Sequence, residues 1–333
     1  MPKTCSEGPT LRLRLHGPTM GTRWSVTCDA APELDRERLC EALRATVEQV
    51  DAQMSPWKPD SDLMRLNRAD VDAWLDLPAP TLQVLACALE INRLSAGAFD
   101  PAVGDLVEAW GFGPVRDAPD AAAIRAARDQ ARSPAHQRLE LDLGLGRARK
   151  RAPVQLDLCG IAKGYAVDRM VDVLRRHGVA HALAALDGEL RALGSQADGR
   201  PWPVALESPQ AGRRAVHGVI EMEDLAVATS GDYRRFVQVG QARVAHTMDG
   251  RQAAPVHNGV ASVTVLAATC MDADAWATAL LVAGPGEGLA LARRRGLEAL
   301  WLLRRAGELV EIGLGRFGSG PPPAATRTEI ERA

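Results

Sequence analysis

Three short stretches of this chain carry residue types capable of phosphate, metal or proton chemistry. The first runs Leu156-Asp157-Leu158-Cys159-Gly160-Ile161-Ala162-Lys163-Gly164-Tyr165-Ala166-Val167-Asp168. Its pattern predicts a strand, a glycine corner and a helix. The free backbone N–H groups and positive helix end at such a corner suit a phosphate, and Lys163 in the first turn would add a point charge. The GxxxxGK[ST] spacing of a P-loop is absent, and a tight turn carrying a solvated lysine fits the same residues. Lysine is scarce here, limited to Lys3, Lys58, Lys150 and Lys163.

The second stretch is Met271-Asp272-Ala273-Asp274-Ala275-Trp276-Ala277-Thr278. On a helix, Asp274 and Thr278 stack on one face. A carboxylate and a hydroxyl are hard oxygen ligands that suit Mg²⁺. The same residues also fit a helix cap made by Asp272 or Asp274, with Thr278 bonding back to its own helix. The third stretch, His246-Thr247-Met248-Asp249-Gly250-Arg251, follows a strand-like segment. His246 there can be a general base or a structural histidine.

Other chemistries are excluded. His16, His136, His177, His181, His217 and His257 have no metal-ligand spacing, and the six cysteines include no CxxC pair, so no zinc site is expected. No G-x-S-x-G is present, and no G-x-G-x-x-G joins a strand to a helix, which argues against a serine hydrolase or a Rossmann enzyme. The 333 residues carry Lys+Arg 40 against Asp+Glu 42, a net charge of −2 that gives no electrostatic footprint for nucleic acid. With 46% hydrophobic residues, the chain reads as a globular protein long enough for one large domain or two ordinary ones. The N-terminal residues lack the apolar core of a signal peptide, and Cys5 sits in no lipobox. The apolar run 277–283 is too short to cross a bilayer, so no transmembrane segment is expected. As written, the chain reads as cytoplasmic.

These stretches need a scaffold, and periodicity supplies one. Strands are expected at 11–15 and 24–27 around a HGPTMGT turn, with helices at 33–54, 81–95 and 121–131. A hairpin is expected over 139–157, turning at Gly144–Gly146 and returning through Val154-Gln155-Leu156. A helix at 162–177 leads to a strand at 181–186. More strands follow at 202–207, 216–222, 225–229 and 260–266. A helix at 272–282 breaks at Pro285-Gly286 before another near 289–294, and a last hairpin spans 299–312. Strands and helices mix without regular βαβ spacing. The fold class is therefore α+β, with mixed, mainly antiparallel sheets and packed helices. Residues 1–316 read as one catalytic unit, whole or in two lobes, and 317–333 as a disordered tail.

Taken in order, these blocks resemble the ApbE family of FAD:protein FMN transferases. The resemblance runs through Met20-Gly21-Thr22, Met54-Ser55-Pro56-Trp57 with Ser61 and Asn67, and Gly97-Ala98-Phe99-Asp100-Pro101 with Trp110-Gly111-Phe112-Gly113. It continues through Asp157 to Asp168, Thr229-Ser230-Gly231-Asp232-Tyr233, His246 with Asp249, and Ala273-Asp274-Ala275 with Thr278. It implies an FAD pocket formed by Met20, Trp57, Ala98, Phe99, Asp100, Asp157, Lys163 and the Met248 backbone. It implies Mg²⁺ held by Asp274, Thr278 and the Gly160 carbonyl, with His246 as the catalytic histidine. The reaction implied moves FMN from FAD onto a Thr or Ser of an acceptor flavoprotein and releases AMP. Hydrolysis of FAD to FMN and AMP, or flavin binding without turnover, would use the same residues.

The chain departs from the family pattern at several points. Trp57 replaces a common tyrosine, and an indole can still stack on a flavin. Gly250 replaces the proline of His-x-x-Asp-Pro-Arg-Thr-Gly, and Gln252-Ala253 replace its Thr-Gly, which predicts a freer loop. Asp187-Gly188-Glu189 stands where Gly-Gly-Asp is common.

Overall fold

The structure, a computed structural model, describes residues 10–130, 132–209, 215–233, 236–239, 242–305 and 308–318. The expected tail lies outside the described residues from position 319 onward.

The chain opens with a hairpin, β1 (Leu11–Thr19) and β2 (Thr22–Ala30). Both strands run further toward the turn than the sequence alternation suggests, leaving Met20 and Gly21 as a two-residue connection. Both have positive φ, 46° and 69°. That is the backbone of a tight hairpin turn matching the strand twist, and it presents Met20 at the tip. Helix α1 (Arg36–Met54) starts three residues later than its periodicity suggests, because Asp35 caps it by accepting from the Arg38 N–H at 3.0 Å.

A smaller, mostly helical region follows: α2 (Asp62–Arg68), the short β3 (Leu75–Asp76), α3 (Ala79–Leu94), α4 (Gly104–Ala109), α5 (Ala121–Asp129) and α6 (Ala135–Arg138). The hairpin expected over 139–157 is real but shorter. It pairs β4 (Leu139–Asp142) with β5 (Arg147–Lys150), and Val154-Gln155-Leu156 is not a strand. Instead the Asn67 side chain serves as the missing neighbour of Leu156. It donates to the Leu156 carbonyl at 3.0 Å and accepts from the Leu156 N–H at 2.7 Å. The corner before Lys163 therefore follows an irregular segment held by the buried Asn67 amide and by backbone bonds from Gly104 to Gln155 and from Asp157 to Pro101.

Helix α7 (Ala162–Arg176) then leads to β6 (His181–Leu186), β7 (Glu189–Leu193), the ribbon β8 (Trp202–Glu207) with β9 (Val216–Met222), and β10 (Ala226–Gly231). Two short ribbons follow: β11 (Phe236–Val239) with β12 (Ala242–Ala245), and β13 (Met248–Asp249) with β14 (Ala254–Pro255). The chain continues through β15 (Val260–Ala267), α8 (Cys270–Arg295), β16 (Glu298–Arg305) and β17 (Glu308–Leu314) to a 3₁₀ turn at Gly315–Phe317. The break expected in the last helix falls at Gly284, with φ 70°, immediately before Pro285.

The large sheet has eight strands in the order β1-β2-β6-β7-β10-β15-β16-β17, every neighbouring pair antiparallel. This is the expected α+β class. Helices α1, α7 and α8 cover one face. On the other, Val227 and Leu266 pack under Trp202, Val204 and Met222 of the β8–β9 ribbon. Strand β15 is buried along nearly its whole length because it lies between these two layers. Helix α8 is long and apolar enough to cross a membrane by length and composition. It packs instead on β10, β15 and α7 and is bent at Gly284, which makes it a core helix.

Candidate active site

Helices α7 and α8 meet at their N-terminal ends, and each holds the other. Asp168 of α7 accepts hydrogen bonds from the Cys270 and Met271 N–H groups at 2.9 Å, satisfying orphan donors of α8. Asp274 of α8 accepts from the Gly164 N–H of α7 at 3.0 Å. Close approach depends on Gly164, where a Cβ would overlap the Cys270 carbonyl and lie 2.8 Å from the Asp274 Cβ. Thr269 caps α8 through the Asp272 N–H. Asp274 therefore caps not its own helix but its neighbour, and neither capping alternative read from the sequence applies to it.

Above this junction opens a cavity of about 680 Å³, within the usual range for small-molecule sites. Met20, Trp57, Ala98, Phe99, Asp100, Asp157, Gly160, Lys163, His246, Met248, Asp274 and Thr278 all line it. Every candidate residue thus comes to one space, from elements spread over most of the chain. Thr278 sits one turn beyond Asp274, and its hydroxyl bonds to Ser230 Oγ on the adjoining strand β10 at 2.9 Å rather than back to its own helix. The Gly160 backbone lies against it: a Cβ there would be 3.1 Å from Thr278 Oγ1 and 3.4 Å from the Phe99 ring. Asp157 accepts from the Cys159 N–H at 2.7 Å and so shapes the turn presenting Gly160. Phe112 meets His246 edge-on, with ring centroids 6.2 Å apart. Trp57 stands at the rim, 47% exposed.

The electrostatics differ from the reading of Lys163 as a solvated charge. Its ammonium lies 2.6 Å from Glu189 Oε1 and 3.7 Å from Asp187 Oδ2. Burial pulls its pKa down, but Glu189, Asp274 and Asp187 together outweigh that and hold it above the ordinary lysine value. Asp274 is pushed up to about 7, first by burial and then by Glu189, with Lys163 pulling the other way. Asp100 and Asp157 are raised by burial. The wall is acidic overall: Asp51, Asp100, Asp157, Asp187, Glu189 and Asp274 stand against Lys58, which pairs with Asp51, and Lys163.

Among the described residues no group of three or more His, Cys, Asp or Glu is arranged to hold a metal. Asp274 and Thr278 bring oxygen to the cavity beside the Gly160 backbone, and oxygen donors suit a hard cation rather than zinc. Sequence reasoning missed three contributors. Ser230 and Phe112 lie within matched blocks but carry no signal of what they touch. Glu189 stood out only as a departure, and the scarcity of lysine was the clue that its partner mattered.

An antiparallel α+β sheet whose helix junction gathers residues from along the chain around one cavity has the form of an enzyme with a single small-molecule site. The chain belongs to the ApbE family, whose model matches residues 20–301. It is 35% identical to the FAD:protein FMN transferase of Vibrio cholerae over 90% of this chain and 89% of that protein. It is 34% identical to that of Klebsiella pneumoniae over 88% and 85%. In three dimensions it is similar to the flavin transferase ApbE from Vibrio cholerae, with a TM-score of 0.81 at 34% identity, covering 92% of this chain and 97% of that one. The apo flavinyl transferase ApbE of Pseudomonas stutzeri gives a TM-score of 0.81 at 34% identity, over 91% and 95%.

Proposed function

We propose that the protein is an Mg²⁺-dependent FAD:protein FMN transferase, attaching FMN to a Thr or Ser of an acceptor flavoprotein and releasing AMP. The transferase reading is supported by the relatives that bear that name over nearly the same length. One observation supports the Mg²⁺ dependence: the cavity of about 680 Å³ has an acidic wall. A pyrophosphate placed beside Asp157, Asp187, Glu189 and Asp274, with Lys163 already engaged by Glu189, would be repelled unless a divalent cation came with it. Asp274, Thr278 and the Gly160 carbonyl are the oxygen donors that would hold Mg²⁺, which when bound supplies charge neutralisation at the phosphates.

The chain's own residues divide the remaining work. Trp57, Met20 and Phe99 offer aromatic and apolar surface for the isoalloxazine. Lys163 has donors beyond the one directed at Glu189 and can stabilise charge on the leaving phosphate. His246 takes the proton of the acceptor hydroxyl as its oxygen bonds to the phosphorus of the FMN half. The bond from that phosphorus to the bridging oxygen breaks, and AMP departs with the electron pair. Phe112, edge-on to the imidazole, limits the orientations His246 can take.

The test is AMP release from FAD with an acceptor protein, with and without Mg²⁺. The expected result is AMP formed only when acceptor and cation are both present and lost on adding EDTA. AMP formed at the same rate without acceptor would favour hydrolysis, and none under any condition would favour a flavin-binding protein.

A further inference from the structure

The segment carrying His246 is the one whose sequence predicts a freer backbone, since Gly250 stands in place of a proline. The structure gives that segment another restraint. Asp249 is buried and accepts from Arg251 three times: from its backbone N–H at 2.9 Å, from Nε at 3.1 Å and from Nη2 at 3.1 Å. The remaining guanidinium nitrogen, Nη1, lies 2.9 Å from both carboxylate oxygens of Glu287. Glu287 belongs to the half of α8 beyond the bend at Gly284, so the other half carries Asp274 and Thr278. The Arg251 stem also crosses Gly97, where a Cβ would lie 3.6 Å from its Cγ. Gly250 seats against Asp100, where a Cβ would be 2.5 Å from Oδ2.

We infer that Glu287 is a positioning residue for His246: through Arg251 and Asp249 it fastens the 246–251 segment to α8 and to the Gly97–Asp100 turn. The guanidinium grips Asp249 through two nitrogens and Glu287 through the third, and a planar fork held at all three nitrogens fixes orientation as well as distance. The clasp restrains the loop where proline is absent, and it links the base to the helix carrying the cation ligands. Glu287 stands outside the cavity lining, so it acts through its partners.

This inference rests on the transferase reading, and the test separates the two. Glu287→Ala and Glu287→Gln in the full chain are compared with wild type for FMN-transfer kcat, FAD affinity by flavin fluorescence, and hydrogen exchange of the amides at 246–252. For Glu287→Ala the expectation is a kcat about threefold to tenfold lower and faster exchange confined to that segment, with FAD affinity changed by less than about twofold. Glu287→Gln, which keeps an acceptor oxygen, falls between. Unchanged exchange and unchanged kcat in Glu287→Ala would overturn the clasp, as would a loss matched by equal losses of FAD affinity and melting temperature. If wild type transfers no FMN, the function reading fails, while the exchange comparison still decides the clasp.

Discussion

The Asp274 carboxylate accepts a hydrogen bond from the Gly164 N–H, 3.0 Å away and 110 residues earlier in the chain. Asp168 returns the arrangement by accepting from the Cys270 and Met271 N–H groups. The two helices that build the floor of the cavity are thus fixed by carboxylates exchanged between them. A residue expected to hold a cation also sets the spacing of the helix that carries Lys163.

Substituting Gly164 by Ala tests how tight this junction is. The added methyl would meet the Cys270 carbonyl and the Asp274 Cβ, and packed backbone gives way less readily than a flexible side-chain end. The expected outcome is a loss of about 1–3 kcal/mol in a urea titration, together with weakened transfer, because Asp274 is displaced. Wild-type stability and activity would show that the helices separate at little cost.

Asp274→Asn keeps an acceptor for the Gly164 N–H but removes the charge. Stability in EDTA should hold or rise slightly, since the carboxylate is buried and disfavoured there. Mg²⁺-supported transfer should fall about a hundredfold or more, given the several kcal/mol a catalytic cation supplies. Isothermal titration of Mg²⁺ into the FAD complex would separate loss of cation binding from loss of chemistry.

The raised pKa of Asp274 gives stability a definite pH dependence in metal-free protein. The folded carboxyl titrates near 7 and the unfolded one near ~3.9, so between those values the folded state holds a proton that the unfolded chain has lost. This contribution is fully present below about pH 4 and is lost as pH rises through about 7. Melting in EDTA from pH 5 to 8 should show wild type losing ground to Asp274→Asn. A difference independent of pH would contradict the assignment.

Lys163 and Glu189 should behave as a pair. Lys163→Met leaves the carboxylate of Glu189, 3% exposed, without its cation. The expected cost is about 2–3 kcal/mol, at the low end for a buried pair because Lys163 itself is 28% exposed. Adding Glu189→Gln should recover part of that stability in guanidinium melts without restoring FAD binding. A double variant no more stable than the single one would show that the two side chains act independently.

The parts of this molecule with strong local signals were legible in the sequence. His181–Leu186, Trp202–Glu207 and Val216–Met222 fall on their expected bounds because alternation there matches half-buried strands. The candidate residues that line the cavity were legible as a set because blocks far apart recur in a known order, not because any one of them declares its role. Contacts decided by tertiary structure stayed hidden. Val154-Gln155-Leu156 alternates like a strand, yet Asn67 from another element takes the place of a strand partner. Asp274 looks like a cap for its own helix and is one for α7, which no local pattern encodes. The short β7 was missed because the Asp187-Gly188-Glu189 turn before it reads as loop, although Glu189 opens the strand and anchors Lys163.

In the proposed reaction the cavity joins a hydroxyl acceptor to the FMN half of FAD at His246. Mass spectrometry of an acceptor flavoprotein after incubation with FAD, Mg²⁺ and either wild type or His246→Ala tests it most directly. One FMN phosphoester on a Thr or Ser is expected with wild type, and little or none with His246→Ala while FAD still binds. An acceptor left unmodified by wild type, or modified equally by both proteins, would contradict it.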